Sequence, residues 1–302
     1  MLNRFLVPWL LSIAWLPLAA ADGAWRETRW NDERAHAATA GEWEAIVSTD
    51  RGRLVYFGPA GGADNLLFAP ATRDTSDGWG GHAVWLGPQT DWTKNWPPPR
   101  AWEASAAASV EIENDRLVLA MPDAGEDWPS LVRTYRWFEG RLHCEVRITG
   151  GERHTQIIQL LRVPSGWAIE LQAKASAETP LGYVQLHLGR SPSPIRKFDE
   201  PRHVKRTDAG VTLHHADKME KLGFTPQPIV ARKGAMRLVV DRGRSEGPFV
   251  GEIPDEGFVT QVYLGSGRSR LIELEQLSPL WAAANDALFE IILEARIEEE
   301  AE

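Results

Sequence analysis

Short runs that alternate apolar and polar residues, separated by turn residues, fill most of this chain. Leu131–Phe138, Glu139-Gly140 and Arg141–Ile148 give the clearest case. In the second arm Leu142, Cys144, Val146 and Ile148 fall on one face, and Arg141, His143, Glu145 and Arg147 on the other. A period of two sets one face on a core and the other in water. Val110–Glu113 and Arg116–Met121 around Asn114-Asp115 predict a second hairpin. His203–Thr207 and Val211–His215 around Asp208-Ala209-Gly210 predict a third. Further strands are expected at Glu44–Ser48, Arg53–Phe57, Gln156–Val163, Trp167–Gln172, Tyr183–Leu188, Met236–Asp241, Phe258–Leu264, Arg270–Gln276 and Ala287–Arg296. Helical patterning is confined to Ala282–Leu288 and an ambiguous Ala104–Ser109. Roughly sixteen strands without intervening helices predict an all-β fold, a sandwich or barrel, and argue against βαβ units.

The first 21 residues break this pattern. Arg4 precedes an apolar stretch from Phe5 to Leu18, and Ala19-Ala20-Ala21 supplies small residues before Asp22. These are the parts of a cleaved secretory signal. As a helix the apolar stretch would rise about 21 Å, short of a hydrocarbon core of about 30 Å. The expected organisation is a signal at 1–21, an extension at 22–40, one β domain at 41–297 and an acidic tail at 298–302. The expected location is periplasmic or secreted, with no membrane anchor after cleavage.

Charge and cysteine content sharpen this expectation. The net charge is −9, which disfavours nucleic acid and anionic lipid as partners. The single cysteine, Cys144, permits no internal disulfide, so stability must come from the apolar core. Cys144 lies on the apolar face of its strand and reads as a core residue.

Three segments carry a family resemblance. The first is Val47-Ser48-Thr49-Asp50-Arg51-Gly52-Arg53-Leu54 followed by Gly61-Gly62-Ala63-Asp64-Asn65-Leu66-Leu67. The second is Gly80-Gly81-His82-Ala83-Val84-Trp85-Leu86-Gly87-Pro88-Gln89, running into Trp96-Pro97-Pro98-Pro99. The third is Leu271-Ile272-Glu273-Leu274-Glu275-Gln276-Leu277-Ser278-Pro279-Leu280. Together they resemble the galactose mutarotase-like β-supersandwich family, and its uncharacterised members more than the true aldose epimerases. The resemblance implies a large antiparallel β-sandwich with a carbohydrate-sized cleft on one sheet face. The Asn-His-x-Tyr-Phe-Asn-Leu segment of the true epimerases has no counterpart in this sequence.

Candidate chemistry centres on Glu273 and Glu275, which strand alternation puts on one face between Leu271 and Leu277. Two carboxylates on a partly apolar face suit general acid or base work; a solvated edge strand would show the same alternation. The resemblance adds that a glutamate near this point is the base of the epimerases, and the adjacent Gln276 favours Glu275. In that reading the glutamate takes the proton of the anomeric hydroxyl. A histidine protonates the ring oxygen, and the ring opens and recloses. His82, after two glycines that let backbone approach a ligand, and His203 are the candidate acids; each could equally be a structural histidine.

Trp79, Trp85, Trp92, Trp96 and Trp102 crowd into residues 78–102. Trp85, Trp92 and Trp96 are expected to stack on sugar, with Gln89 and Arg100 bonding its polar groups; the alternative is that these rings fill the core. Arg190, Arg196, Lys197, Arg202, Lys205 and Arg206 form a basic stretch that could hold an anionic sugar, or be a solvated loop balanced by Asp199 and Glu200. No metal motif, phosphate loop or cofactor signature occurs; His214 and His215 are adjacent and point to opposite sides of a strand. The expected activity is carbohydrate binding, with or without catalysis at the anomeric centre; the alternative is a structural cell-envelope protein whose tryptophans are all core.

Overall fold

The computed structural model describes residues 23–62, 64–72, 78–92, 101–177, 179–186, 202–251 and 257–298. The strands, in chain order, begin with β1 (Arg26–Trp30), β2 (Glu33–Ala40), β3 (Trp43–Ser48), β4 (Arg53–Pro59) and β5 (His82–Gly87). A 3₁₀ turn at Gln89–Asp91 and a single helical turn, α1 (Ala101–Ala104), come next. Then follow β6 (Ser109–Glu113), β7 (Arg116–Ala120), β8 (Ser130–Phe138), β9 (Arg141–Thr149), β10 (Thr155–Pro164), β11 (Ala168–Leu171) and β12 (Val184–Leu186). The chain continues with β13 (Val204–Thr207), β14 (Gly210–Leu213), β15 (Lys221–Phe224), β16 (Ile229–Lys233) and β17 (Met236–Glu246). It ends with β18 (Thr260–Tyr263), β19 (Leu271–Trp281) and β20 (Ala287–Ile297).

Three antiparallel sheets result. One runs β1-β2-β3-β4, one β12-β15-β18-β19-β10-β5, and the largest β13-β14-β11-β16-β17-β20-β9-β8-β7-β6. The three predicted hairpins form as β6–β7, β8–β9 and β13–β14. Within residues 26–40, expected as an extension, β1 pairs with β2, and β2 pairs with β3 from Ala35 to Ala40, a strand ladder that ties them to the domain. At 282–288 a turn leads into β20 rather than a helix.

The core lies between the six- and ten-stranded sheets. Ile157, Leu161, Val163, Ile272 and Leu274 face it from one side; Leu142, Val146, Phe289, Ile291 and Leu293 face it from the other, all buried. Each such side chain taken out of water contributes about 1.5–3 kcal/mol against the entropy of ordering the chain. Cys144 lies in this core, and burial pushes its thiol well above the ordinary range, as expected of an inert packing residue. The four-stranded sheet joins the same core through Ala38, Ala45, Val47, Leu54 and Phe57, with the Phe57 ring 5.8 Å from that of Trp137.

The core also holds polar groups at the start of β5. His82 Nδ1 lies 3.3 Å from the Tyr135 hydroxyl, and the fully buried Arg133 donates to the His82 carbonyl at 3.4 Å. Burial, and next the Arg133 charge, push His82 down to about 3, so it is neutral at physiological pH.

Candidate functional site

The six-stranded sheet has a second face, turned away from the main core, with its own small apolar cluster of Ala83, Ile158, Leu160, Val259 and Leu277. Strand register arranges the polar side chains of this face in rows. Leu160, Glu275 and Gln261 are cross-strand neighbours in one row. Arg162, Glu273, Tyr263 and Lys221 follow one another in the next. The two glutamates therefore share this outer face, as their alternation predicts, and both are covered there: Glu275 is 0% and Glu273 8% exposed.

Each carboxylate is already matched by a cation. Lys221 Nζ donates to Glu275 Oε2 at 2.7 Å and to Gln89 Oε1 at 2.9 Å. Gln89 Nε2 in turn donates to Gln261 Oε1 at 3.0 Å, which draws the 3₁₀ turn over the sheet. Arg162 Nε donates to Glu273 Oε1 at 2.8 Å and its Nη2 to Glu103 Oε1 at 3.4 Å. Glu103 also accepts from Arg53 at 2.7 Å and from the Trp85 indole at 3.0 Å. Burial raises the Glu103 carboxyl, but Arg53, Arg162 and the Trp85 N–H outweigh it and hold the group at about 2. Arg162 is shifted upward: Glu273 and Glu103 overcome the desolvation that opposes its charge. The two carboxylates expected to do acid or base work are thus each held in an ion pair.

The tryptophan cluster divides. Trp85 and Trp92 meet edge to face on the outer side, ring centroids 5.6 Å apart, and both are partly exposed. Trp92 is fixed by its indole N–H donating to the Leu86 carbonyl at 2.9 Å. Arg162 lies 5.6 Å from the Trp85 ring centroid. Trp102 is in the core, and Trp79 covers the Arg51 guanidinium at 4.1 Å. Trp96 and Arg100 lie outside the described residues, as do Arg190, Arg196 and Lys197.

Neither candidate acid meets the glutamates. His82 and Trp85 have opposite parity on β5, and His82 points into the main core. Its two glycine neighbours serve backbone packing: a Cβ on Gly80 would lie 2.0 Å from the Phe68 carbonyl oxygen, and one on Gly81 2.3 Å from that of Leu54. His203 Nε2 sits 2.5 Å from Glu220 Oε2, and Glu220 alternates with Lys221 to the other side of the sheet. Lys205 and Arg206 are exposed on β13, the edge of the ten-stranded sheet, and do not border this face.

Lys221, Arg162, Glu103 and Gln261 belong to the site and were not singled out from sequence. A basic residue inside the apolar strand Thr155–Pro164, and another opening Lys221–Phe224, are the signals that mark them.

No protein-family model and no curated protein matches the chain. Solved structures do match in shape. A galactose mutarotase-like protein from Lactobacillus casei superposes with a TM-score of 0.61 at 8% identity, covering 87% of this chain and 100% of that one. A galactose mutarotase related enzyme from Lactobacillus acidophilus gives 0.58 at 6% identity, covering 89% and 99%. Slr1438 protein from Synechocystis gives 0.55 at 12% identity, covering 99% and 100%. Likeness at these identities concerns architecture, and on that architecture this chain has the galactose mutarotase-like β-sandwich fold.

Proposed function

We propose that this protein is an exported carbohydrate-binding protein that holds sugar on the outer face of its six-stranded sheet without acting on the anomeric centre. The Trp85 and Trp92 rings offer apolar surface to the C–H face of a pyranose, and Arg162, Glu273 and Gln89 offer donors and acceptors to its hydroxyls. One observation carries the non-catalytic reading. Both glutamates already accept from cations, Lys221 and Arg162, and among the described residues no histidine shares their face of β5, β10, β15, β18 or β19. A proton acceptor bound in this way has no free role as a base, and among the described residues of these strands the ring oxygen has no imidazole donor. The names of the structural neighbours support sugar as the ligand class. Export rests on the signal-like pattern of residues 1–21.

The test is a calorimetric titration of the purified protein with a panel of neutral and acidic monosaccharides, repeated on Trp85→Ala and Glu273→Gln. Binding to wild type that weakens about tenfold or more in Trp85→Ala supports the reading, since loss of an aromatic stacking surface is worth on the order of 1–3 kcal/mol. Binding that is indifferent to both substitutions places the sugar elsewhere and sinks it.

A second reading, a mutarotase-like isomerase with Glu275 as base, is favoured by the shared face of Glu273 and Glu275. It requires Lys221 to leave Glu275 when sugar enters.

A further inference from the structure

The outer face of the ten-stranded sheet carries a depression of about 410 Å³, within the range of small-molecule sites. It lies over β7, β8, β9, β20 and β17, which are consecutive in the sheet. Two cross-strand rows build it. Arg116, Arg136 and His143 are successive partners in one, and Thr134, Glu145 and Glu290 in the other.

The hollow originates in β17. Its register with β20 slips between Arg242 and Ser245, so Gly243 and Arg244 stand against Glu290. Such a bulge bends the strand and re-aims its side chains. A Cβ on Gly243 would lie 2.4 Å from a Glu290 carboxylate oxygen, so glycine at this position leaves the space that Glu290 occupies. Glu290 accepts from the Arg244 backbone N–H at 3.0 Å and lies 2.9 Å from His143 Nδ1. Burial would raise its carboxyl, yet His143 and Arg244 hold it below the ordinary range, so the floor is an ionised, anchored carboxylate.

The wall is cationic in a molecule whose net charge is −9. Arg116, Arg136 and Arg244 line it against Glu145 and Glu290. Arg244 is committed to Glu145 at 2.6 Å, and Arg136 to Asp115 at 2.6 Å. Arg116 makes no ion pair among the described residues. Beside these charges stands Phe138, 44% exposed, with Arg136 4.9 Å from its ring centroid, the His143 ring 5.8 Å away edge to face, and the half-buried Ile292 in the same lining. An unmatched guanidinium next to an exposed ring fits a ligand that is at once anionic and partly apolar.

We infer that this depression is a second, separate sugar site, selective for a carboxylate-bearing pyranose such as a uronic acid. The carboxylate pairs with Arg116 and is flanked by Arg136. The C–H face of the ring packs on Phe138, and Thr134 and Glu145 take ring hydroxyls. The site shares no residue with the outer face of the six-stranded sheet, so it stands whether or not that face binds sugar.

The test is a calorimetric titration of the full-length protein with galacturonate, galactose and inorganic phosphate, in wild type, Arg116→Met, Phe138→Ala and Trp85→Ala. Arg116 and Phe138 are exposed enough for their variants to fold, which circular dichroism checks. Galacturonate should bind wild type and Trp85→Ala alike, and about tenfold or more weaker in both Arg116→Met and Phe138→Ala, the loss of a charged hydrogen bond or a ring surface. Galactose should bind this site at least about tenfold more weakly than galacturonate. No galacturonate binding, galactose binding equal to that of galacturonate in Trp85→Ala, or galacturonate binding lost in Trp85→Ala and kept in Arg116→Met overturns the inference. Phosphate binding equal to galacturonate and unchanged in Phe138→Ala would reduce the site to a simple anion patch, which also overturns it.

Discussion

Glu275 and Lys221 are taken out of water together, at 0% and 3% exposure, and each is the other's main compensation. Removing one charge from a buried pair leaves the other stranded. Glu275→Gln is therefore expected to destabilise the fold by about 3–5 kcal/mol, and Lys221→Met by a similar amount. The double variant should cost clearly less than the two singles added, and urea denaturation of all three gives that coupling directly. Additive costs would mean that the pair is not coupled as its geometry implies. At His82 burial acts through proton binding. Its folded value near 3 lies below the unfolded 6.5, so between these values the unfolded state binds a proton that the folded state does not. Stability present above pH 6.5 is then lost as pH falls towards 3. His36, also lowered by burial, acts in the same direction. Glu103 adds to the loss lower down, between its unfolded 4.5 and about 2. The melting temperature should fall from pH 7 to pH 5, and His82→Gln should flatten that slope whatever it does to the absolute value.

Among the elements, Gly80 has φ +67° and no room for a side chain beside the Phe68 carbonyl. Gly80→Ala should destabilise by on the order of 1–3 kcal/mol through backbone strain, measured by chemical denaturation. A neutral result would mean that the Phe68–Ala69 segment yields at little cost. The hairpins were legible in sequence because one of their faces meets water: β8 and β9 alternate buried and half-buried residues along most of their length. Strands covered on both faces gave no such signal. Thr155–Pro164 is buried from Thr155 to Val163 and shows as an apolar run. Lys221–Phe224 is buried throughout, yet its lysine and glycine leave it without an apolar run or an alternation. In β1 and β2, charged residues on one and an alanine-rich stretch on the other hid strands that exist through pairing with β3. The same distinction governs the site. The two glutamates were visible because they are two residues apart on one strand. Their partners were not, since Arg162 is 111 residues from Glu273, and Lys221 54 from Glu275, and only register brings them together.

On the scale of the whole molecule, the fold presents two outer sheet faces on opposite sides of the main core. One is aromatic with its charges paired off; the other is a cationic hollow beside an exposed phenylalanine. If the first 21 residues direct export, N-terminal sequencing of the secreted material should start at Asp22, and an intact Met1 would contradict export by that route. The central claim is recognition of sugar without anomeric chemistry. Exchange-detected NMR on an equilibrium mixture of α- and β-galactose with purified protein tests it most directly, because one spectrum reports contact and interconversion together. The account predicts saturation transfer from protein to sugar protons while the anomers exchange at the buffer rate; accelerated exchange, or no transfer from any sugar tried, would contradict it.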